Sequence, residues 1–226
     1  MRPIGRKCYS SAMKHVAKRP AAPALRKGAA TRHRVIQQTA PVFNTKGLSG
    51  SALSDLMEAT GLQKGGLYRH FASKEELALE ALNYSLELVE QARFGDLDPT
   101  APGVDQLQTF ARNFIERPSP LPGGCPILNT SVEHDDGNPS LRQAAQKAVL
   151  RWLSRLADIV RAGQSKGEIR RSVPPAELAT MLLAALEGAV AISRLAPHAG
   201  ARDAVGRQLA QWLEGFRTGR ASPVPA

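Results

Sequence analysis

Between Gln63 and Lys74 the chain gathers hydrogen-bond donors suited to phosphate oxygens and base edges: Gln63, Lys64, Tyr68, Arg69, His70 and Lys74. A tyrosine hydroxyl, an imidazole N–H and a lysine ammonium on one face fit the backbone of a nucleic acid. Gly65 and Gly66 carry no side chain, so the main chain there can approach a ligand closely. Taken singly, Tyr68 can pack against a neighbouring helix and Lys74 can be an ordinary first-turn cation; taken together they describe a surface for double-stranded DNA. No Ser-His-Asp set, paired carboxylates or phosphate loop competes, so no enzyme and no cofactor are expected.

The charge distribution agrees. Residues 1–30 hold eight Lys or Arg and no acid, residues 31–74 six and two, and residues 75–226 sixteen and eighteen. The balances are +8, +4 and −2, so the excess that would meet a polyanion sits in the first third. A basic tail can equally be a solvated arm.

The elements that must position these donors are helical. Residues 1–30 lack helical periodicity and read as a disordered basic extension, similar in composition to a transit peptide, with Met13 as an internal start candidate. Ile36, Ala40 and Phe43 mark a helix over 31–46 that Gly47 stops and Pro41 should kink. Ser51 can cap a second helix over 51–59, which Gly61 ends. A short third helix over 64–71 turns Leu67 and Phe71 inward and leaves Lys64, Tyr68, Arg69 and His70 outward. Ser73 and Glu76 form a capping box before a long helix whose two apolar rows predict burial on both sides. Helices follow near 103–116, 127–134, 139–165, 175–196 and 201–217, an all-α chain of about nine helices.

The three short helices make a helix-turn-helix unit whose last helix can enter a major groove about 12 Å wide. Thr60-Gly-Leu-Gln-Lys-Gly-Gly-Leu-Tyr-Arg-His-Phe71, followed by Ala72-Ser-Lys-Glu-Glu-Leu77, resembles the TetR signature over residues 31 to about 80. The resemblance implies that Gln63, Lys64, Gly66 and Tyr68 approach bases or backbone and that Tyr68, His70 and Lys74 hold phosphates. Thr31 and Ser51, at the starts of the first two helices, complete the expected DNA-contact set with Gly65 and Arg69. Gly66, where Ser or Thr is common in the family, and Pro41 depart from the pattern.

Residues 31–74 are thus expected to read DNA, and 75–226 to sense a small molecule and dimerise. The stretch 176–196 is apolar around much of its helix, with small residues at Ala184, Ala185, Gly188 and Ala189. With Leu209, Trp212, Leu213 and Phe216 it resembles the two-helix surface through which TetR-type proteins form a four-helix bundle. Leu182, Ala185, Ala189, Leu209, Trp212, Leu213 and Phe216 are the expected interface, against the alternative of an intramolecular core. A homodimer would set its reading helices about 34–36 Å apart on a near-palindromic operator.

Phe110, Phe114, Trp152 and Leu156 can wall an effector pocket, with Asn129 and Glu133 as polar anchors, or can be plain core. Cys125, in Gly123-Gly-Cys-Pro-Ile-Leu-Asn129, resembles the Gly-Cys sequence of TetR-like regulators that include electrophile sensors. The alternative to reversible effector binding is therefore covalent triggering at Cys125, unless that thiol is buried and inert. A Cys125–His134–Asp135 metal site matches no common ligand spacing, and no metal is expected. Two unpaired-looking cysteines, Cys8 and Cys125, fit a reducing cytoplasm. The apolar run Leu178–Ile192 is interrupted by Glu187 and falls short of the roughly 20 residues a membrane span needs, so no membrane partner is expected.

Overall fold

The computed structural model describes residues 27–134 and 137–219, and the reading of an extension over 1–30 lies almost wholly outside them. Nine α-helices run in order among the described residues: α1 (Lys27–Gly50), α2 (Leu53–Thr60), α3 (Lys64–Tyr68), α4 (Lys74–Phe94), α5 (Gly103–Glu116), α6 (Pro126–Glu133), α7 (Pro139–Ser165), α8 (Pro175–Leu195) and α9 (Ala201–Glu214). The fold is all-α; one isolated bridge, Ile169 with Arg217, joins the chain after α7 to the chain after α9.

α1 begins at Lys27, earlier than its apolar pattern indicates, and passes through Pro41 without a non-helical residue there. The carbonyl that Pro41 leaves without a donor belongs to Gln37, on the exposed face, where water can bond it. The break falls at Gly47 instead, in the left-handed region at φ 73°. Ser51 does not cap α2: it is buried and donates its hydroxyl to the Gly47 carbonyl, while Asp55 accepts from the N–H of Ala52, the residue at the cap. At α4, Ser73 Oγ accepts from the Glu76 N–H as expected, but Glu76 reaches back to the N–H of Ala72.

α1–α3 enclose a small core of Val35, Ile36, Leu56, Leu67 and Phe71, which Leu77 of α4 completes. α4 then turns Ala78, Leu82, Leu86 and Val89 toward the larger core. One helix thus belongs to both hydrophobic units, and each can shift little without the other. Arg32 fastens the arrangement: it pairs with Glu76 at 3.0 Å and Glu80 at 3.1 Å, and its guanidinium lies 4.6 Å from the Phe71 ring centroid.

The larger core is built on Phe94, Phe110, Phe114 and Trp152, whose ring centroids lie 4.6 to 6.4 Å apart in tilted and edge-on pairs. Leu156, Leu182, Leu186 and Leu213 pack around them at 0% exposure. α8 is long and apolar enough by composition to cross a bilayer, with mean hydropathy 1.6, but Leu178, Ala179, Leu182, Leu183, Leu186, Ala189 and Val190 are packed into this core.

Candidate nucleic-acid interface and junction cavity

α3 ends at Tyr68, short of the expected end at 71, and it stands on Leu67 within it and on Phe71 just beyond it. Leu67 and Phe71 are 3% and 2% exposed, and with these two anchored inward the remaining positions face out. Gln63, Lys64, Gly65 and Arg69 are exposed, Tyr68 is 41% exposed, and Gly66, His70 and Lys74 are half-buried. His70 also accepts a hydrogen bond from Arg32 at its carbonyl, which fixes the turn after α3. A Cβ at Gly65 would meet nothing within 4 Å, and one at Gly66 would make only ordinary contact with Leu62 at 3.4 Å. The protein itself therefore makes no steric demand for glycine at either position.

Thr31 is half-buried on α1, apart from α3 in sequence but in the same helix-turn-helix unit. Ser51 is a correction to the expected contact set. At 1% exposure, with its hydroxyl turned to Gly47, it cannot meet a phosphate.

The expected pocket residues divide. Phe110, Phe114, Trp152 and Leu156, each at most 1% exposed, are closed onto one another, and the edge-on rings fill the space that a pocket would need. Asn129 and Glu133 do line a cavity, of about 730 Å³, which lies where α1 meets the larger domain. Its walls come from α1 (Phe43, Asn44, Leu48), α4 (Ala78, Leu82, Ser85), α6 (Leu128, Asn129, Thr130, Val132, Glu133), α7 (Leu141) and α8 (Ala191, Arg194, Leu195). The volume falls within the roughly 300–1,000 Å³ of small-molecule sites.

Across this cavity α1 and α6 are stitched together. Asn129 Nδ2 donates to the Asn44 carbonyl at 3.0 Å, to Asn44 Oδ1 at 3.2 Å and to the Gly123 carbonyl at 2.9 Å. Asn44 in turn donates to the carbonyls of Pro122 at 2.7 Å and Gly124 at 3.1 Å. Glu133 accepts from the Ser49 N–H at 3.0 Å and lies against Gly47, where no Cβ obstructs it. The break in α1 is thus held by a carboxylate from α6. Asn44 was missed from sequence because a lone asparagine in a helix has no local pattern that marks its partner.

Cys125 stands at the N-terminal boundary of α6, 6% exposed, outside the cavity. Burial, reinforced by the nearby Glu187 carboxylate, pushes its thiol well above the ordinary range. Burial likewise raises Glu187, against the opposing influences of Cys125 and of the Arg93 guanidinium. Both Glu187 oxygens are buried without a hydrogen-bond partner of good geometry, and the Cys125 thiol lies close enough to shift them and be shifted by them. Arg93, 4% exposed, lies over the Phe114 ring and donates to the Asn113 and Arg117 carbonyls at the end of α5. No group of three metal-ligating side chains occurs among the described residues, and Asp135 lies outside them.

The expected dimer residues also divide. Leu182, Ala189 and Leu213 are at most 1% exposed inside the protomer, so they are corrected to core; Leu209 is 7% exposed and Ala185, Trp212 and Phe216 are half-buried. The outward stripe of α8 is a different one: Met181, Ile192 and Leu195 are 60%, 50% and 89% exposed. Met181 and Ala185 border an apolar groove with Ala204, Val205, Leu209 and Trp212 of α9. The signal was readable, since Met181, Ala185, Gly188, Ile192 and Leu195 recur at helical spacing.

A short helix exposing donors beside a helical domain with a junction cavity defines a helix-turn-helix DNA-binding regulator. The model for bacterial regulatory proteins of the tetR family matches residues 35–81, and that for the tetracyclin repressor-like C-terminal domain matches residues 103–209. The HTH-type transcriptional repressor DhaR of Mycobacterium sp. (strain GP1) is 32% identical over 161 residues, 70% of this chain and 80% of that protein. The structure of a TetR regulator from Chloroflexus aurantiacus J-10-FL is 42% identical with a TM-score of 0.80, covering 85% of this chain and 98% of that one. A TetR-family regulator from Cytophaga hutchinsonii is 33% identical with a TM-score of 0.81, covering 87% and 100%. The chain belongs to the TetR family of transcriptional regulators, and it is a DNA-binding protein.

Proposed function

We propose that this protein is a homodimeric repressor released from a near-palindromic operator by a small molecule that enters the cavity between α1 and α6. The observation that carries this reading is the stitch of Asn44, Asn129 and Glu133 across a chamber large enough for an effector. A ligand can shift an equilibrium only through different affinity for its two states, and a cavity walled by both hydrophobic units offers that difference. DhaR, and KstR2 of Mycobacterium tuberculosis, 36% identical over 78 residues, are both named repressors.

On the DNA side, Gln63, Lys64, Gly65 and Gly66 approach bases or backbone, while Tyr68, Arg69, His70, Lys74 and Thr31 engage phosphates; the exposure of Gln63, Lys64, Gly65, Tyr68 and Arg69 supports the assignment. The second copy docks on the outward stripe of Met181, Ala185, Ile192 and Leu195 with Trp212 and Phe216, and this use of the apolar face of α8 needs no membrane. The burial of Cys125 favours reversible occupancy over covalent triggering.

Gel-shift assays with DNA flanking the gene, titrated with salt, test the reading. Sequence-selective binding that weakens steeply with salt is expected; binding that is absent, or indifferent to sequence, overturns it.

A further inference from the structure

The charges that line the junction cavity are spent on protein partners, with one exception. Lys46 pairs with Asp55 at 2.7 Å. Glu133 is engaged by the Ser49 N–H and faces His134 Nε2 at 3.5 Å, and His134 is buried against it. Arg194, in the last turn of α8, has no carboxylate within ion-pair distance among the described residues. Among the described residues this exposed side chain makes one hydrogen bond, a long one of 3.5 Å from Nη1 to Asn129 Oδ1, and its guanidinium lies against Gly124. A cation loosely held beside the asparagine that stitches α6 to α1 is placed to trade that weak contact for a stronger one.

The rest of the wall is chiefly apolar. Phe43, Leu48, Ala78, Leu82, Leu128 and Leu141 supply an apolar floor, and Glu133, the carboxylate among the lining residues, already accepts from the Ser49 N–H and faces His134. A guanidinium presents paired N–H groups that match a carboxylate in a bidentate fashion, a stronger contact than a neutral hydrogen bond. We infer that the cavity takes an amphipathic carboxylate, its head on Arg194 and its apolar body against Phe43, Leu82, Leu128 and Leu141. This rests on the effector-released reading and names the ligand class of that same cavity. The head group draws Arg194 from Asn129, and the body occupies the gap between α1 and α6, so binding loosens the stitch that fixes the reading head.

The full-length protein is assayed with octanoate, dodecanoate, hexadecanoate and phenylbutyrate, each below its micelle-forming concentration, alongside dodecanol and dodecyltrimethylammonium. Two readouts are taken, the thermal unfolding midpoint and release of operator DNA. At least one carboxylate should raise the midpoint and release DNA, and the neutral and cationic amphiphiles should do neither. Arg194→Ala should keep operator affinity yet require about ten- to hundredfold more carboxylate, and Arg194→Lys should recover part of the loss. An equal response in Arg194→Ala overturns the assignment. If dodecanol or dodecyltrimethylammonium acts instead of the carboxylates, the anion assignment fails while effector gating stands. If no compound moves either readout although operator binding persists, the assignment and gating through this cavity fail together.

Discussion

Asn129 of α6 donates its side-chain amide to both the main-chain and side-chain oxygens of Asn44 in α1, a residue 85 positions earlier. The same amide reaches the Gly123 carbonyl, so one side chain joins the helix that anchors the reading head to the loop before α6. Asn129→Ala should cost about 1 kcal/mol, because the two Asn44 oxygens and the Gly123 carbonyl lose their donor in a half-buried setting. It should also reduce the effector's ability to release DNA more than it reduces DNA affinity. Denaturant unfolding and effector-titrated gel shifts measure the two; full release with unchanged effector sensitivity would remove the stitch from the mechanism.

Gly65 separates fold from function cleanly. With open space around its missing Cβ, Gly65→Ala should leave stability unchanged or raise it by about 0.5–1 kcal/mol through helix propensity. Operator affinity should nevertheless fall, since the methyl would stand where DNA backbone or bases approach. Tighter or equal DNA binding would argue against α3 as the reading helix. Lys74→Ala, by contrast, should weaken binding to all sequences alike and lower the slope of log affinity against log salt by about 1.

Glu187 makes stability depend on pH. Burial raises its folded pKa above the unfolded value, so the folded state holds the proton more tightly. Its contribution is full below the ordinary carboxylate range and is lost as pH climbs toward the folded value. Glu187→Gln cannot ionise and should show a flatter stability profile over that interval, gaining on the parent as pH rises. Urea midpoints at a series of pH values give the comparison, and parallel profiles would contradict it.

Cys125 should behave as an inert core thiol. Both its burial and its raised pKa keep the thiolate scarce. Iodoacetamide should modify it slowly in the native protein and readily once urea has unfolded the chain. Cys125→Ala should preserve effector response at modest cost in stability. Rapid native alkylation accompanied by loss of DNA binding would revive the covalent trigger.

Much of this protein is legible in local pattern. The spacing of Leu67 and Phe71 assigns the inward side of α3 and the turn after it, and therefore the outward side that carries Lys64, Tyr68 and Arg69. The Ser73 cap marks the start of α4, and the two apolar rows of that helix announce burial on both sides. These features follow from helix periodicity and backbone capping, which involve residues within a few positions of one another.

What packing alone decided is which partner each apolar or polar group meets. α8 has two apolar stripes of nearly equal character, and only the positions of α7 and α9 select Leu182 and Leu186 for the core while leaving Met181 and Ile192 outside. Trp152 and the phenylalanines are chemically fit for a pocket wall, yet they close on one another because α4, α5 and α7 bring their rings into edge contact. The chamber opens instead beside α1, where Asn44 meets Asn129 and Arg194 lacks a carboxylate partner among the described residues. A helix repeats every few residues and writes that period into its sequence, whereas the meeting of two distant helices depends on every element packed between them.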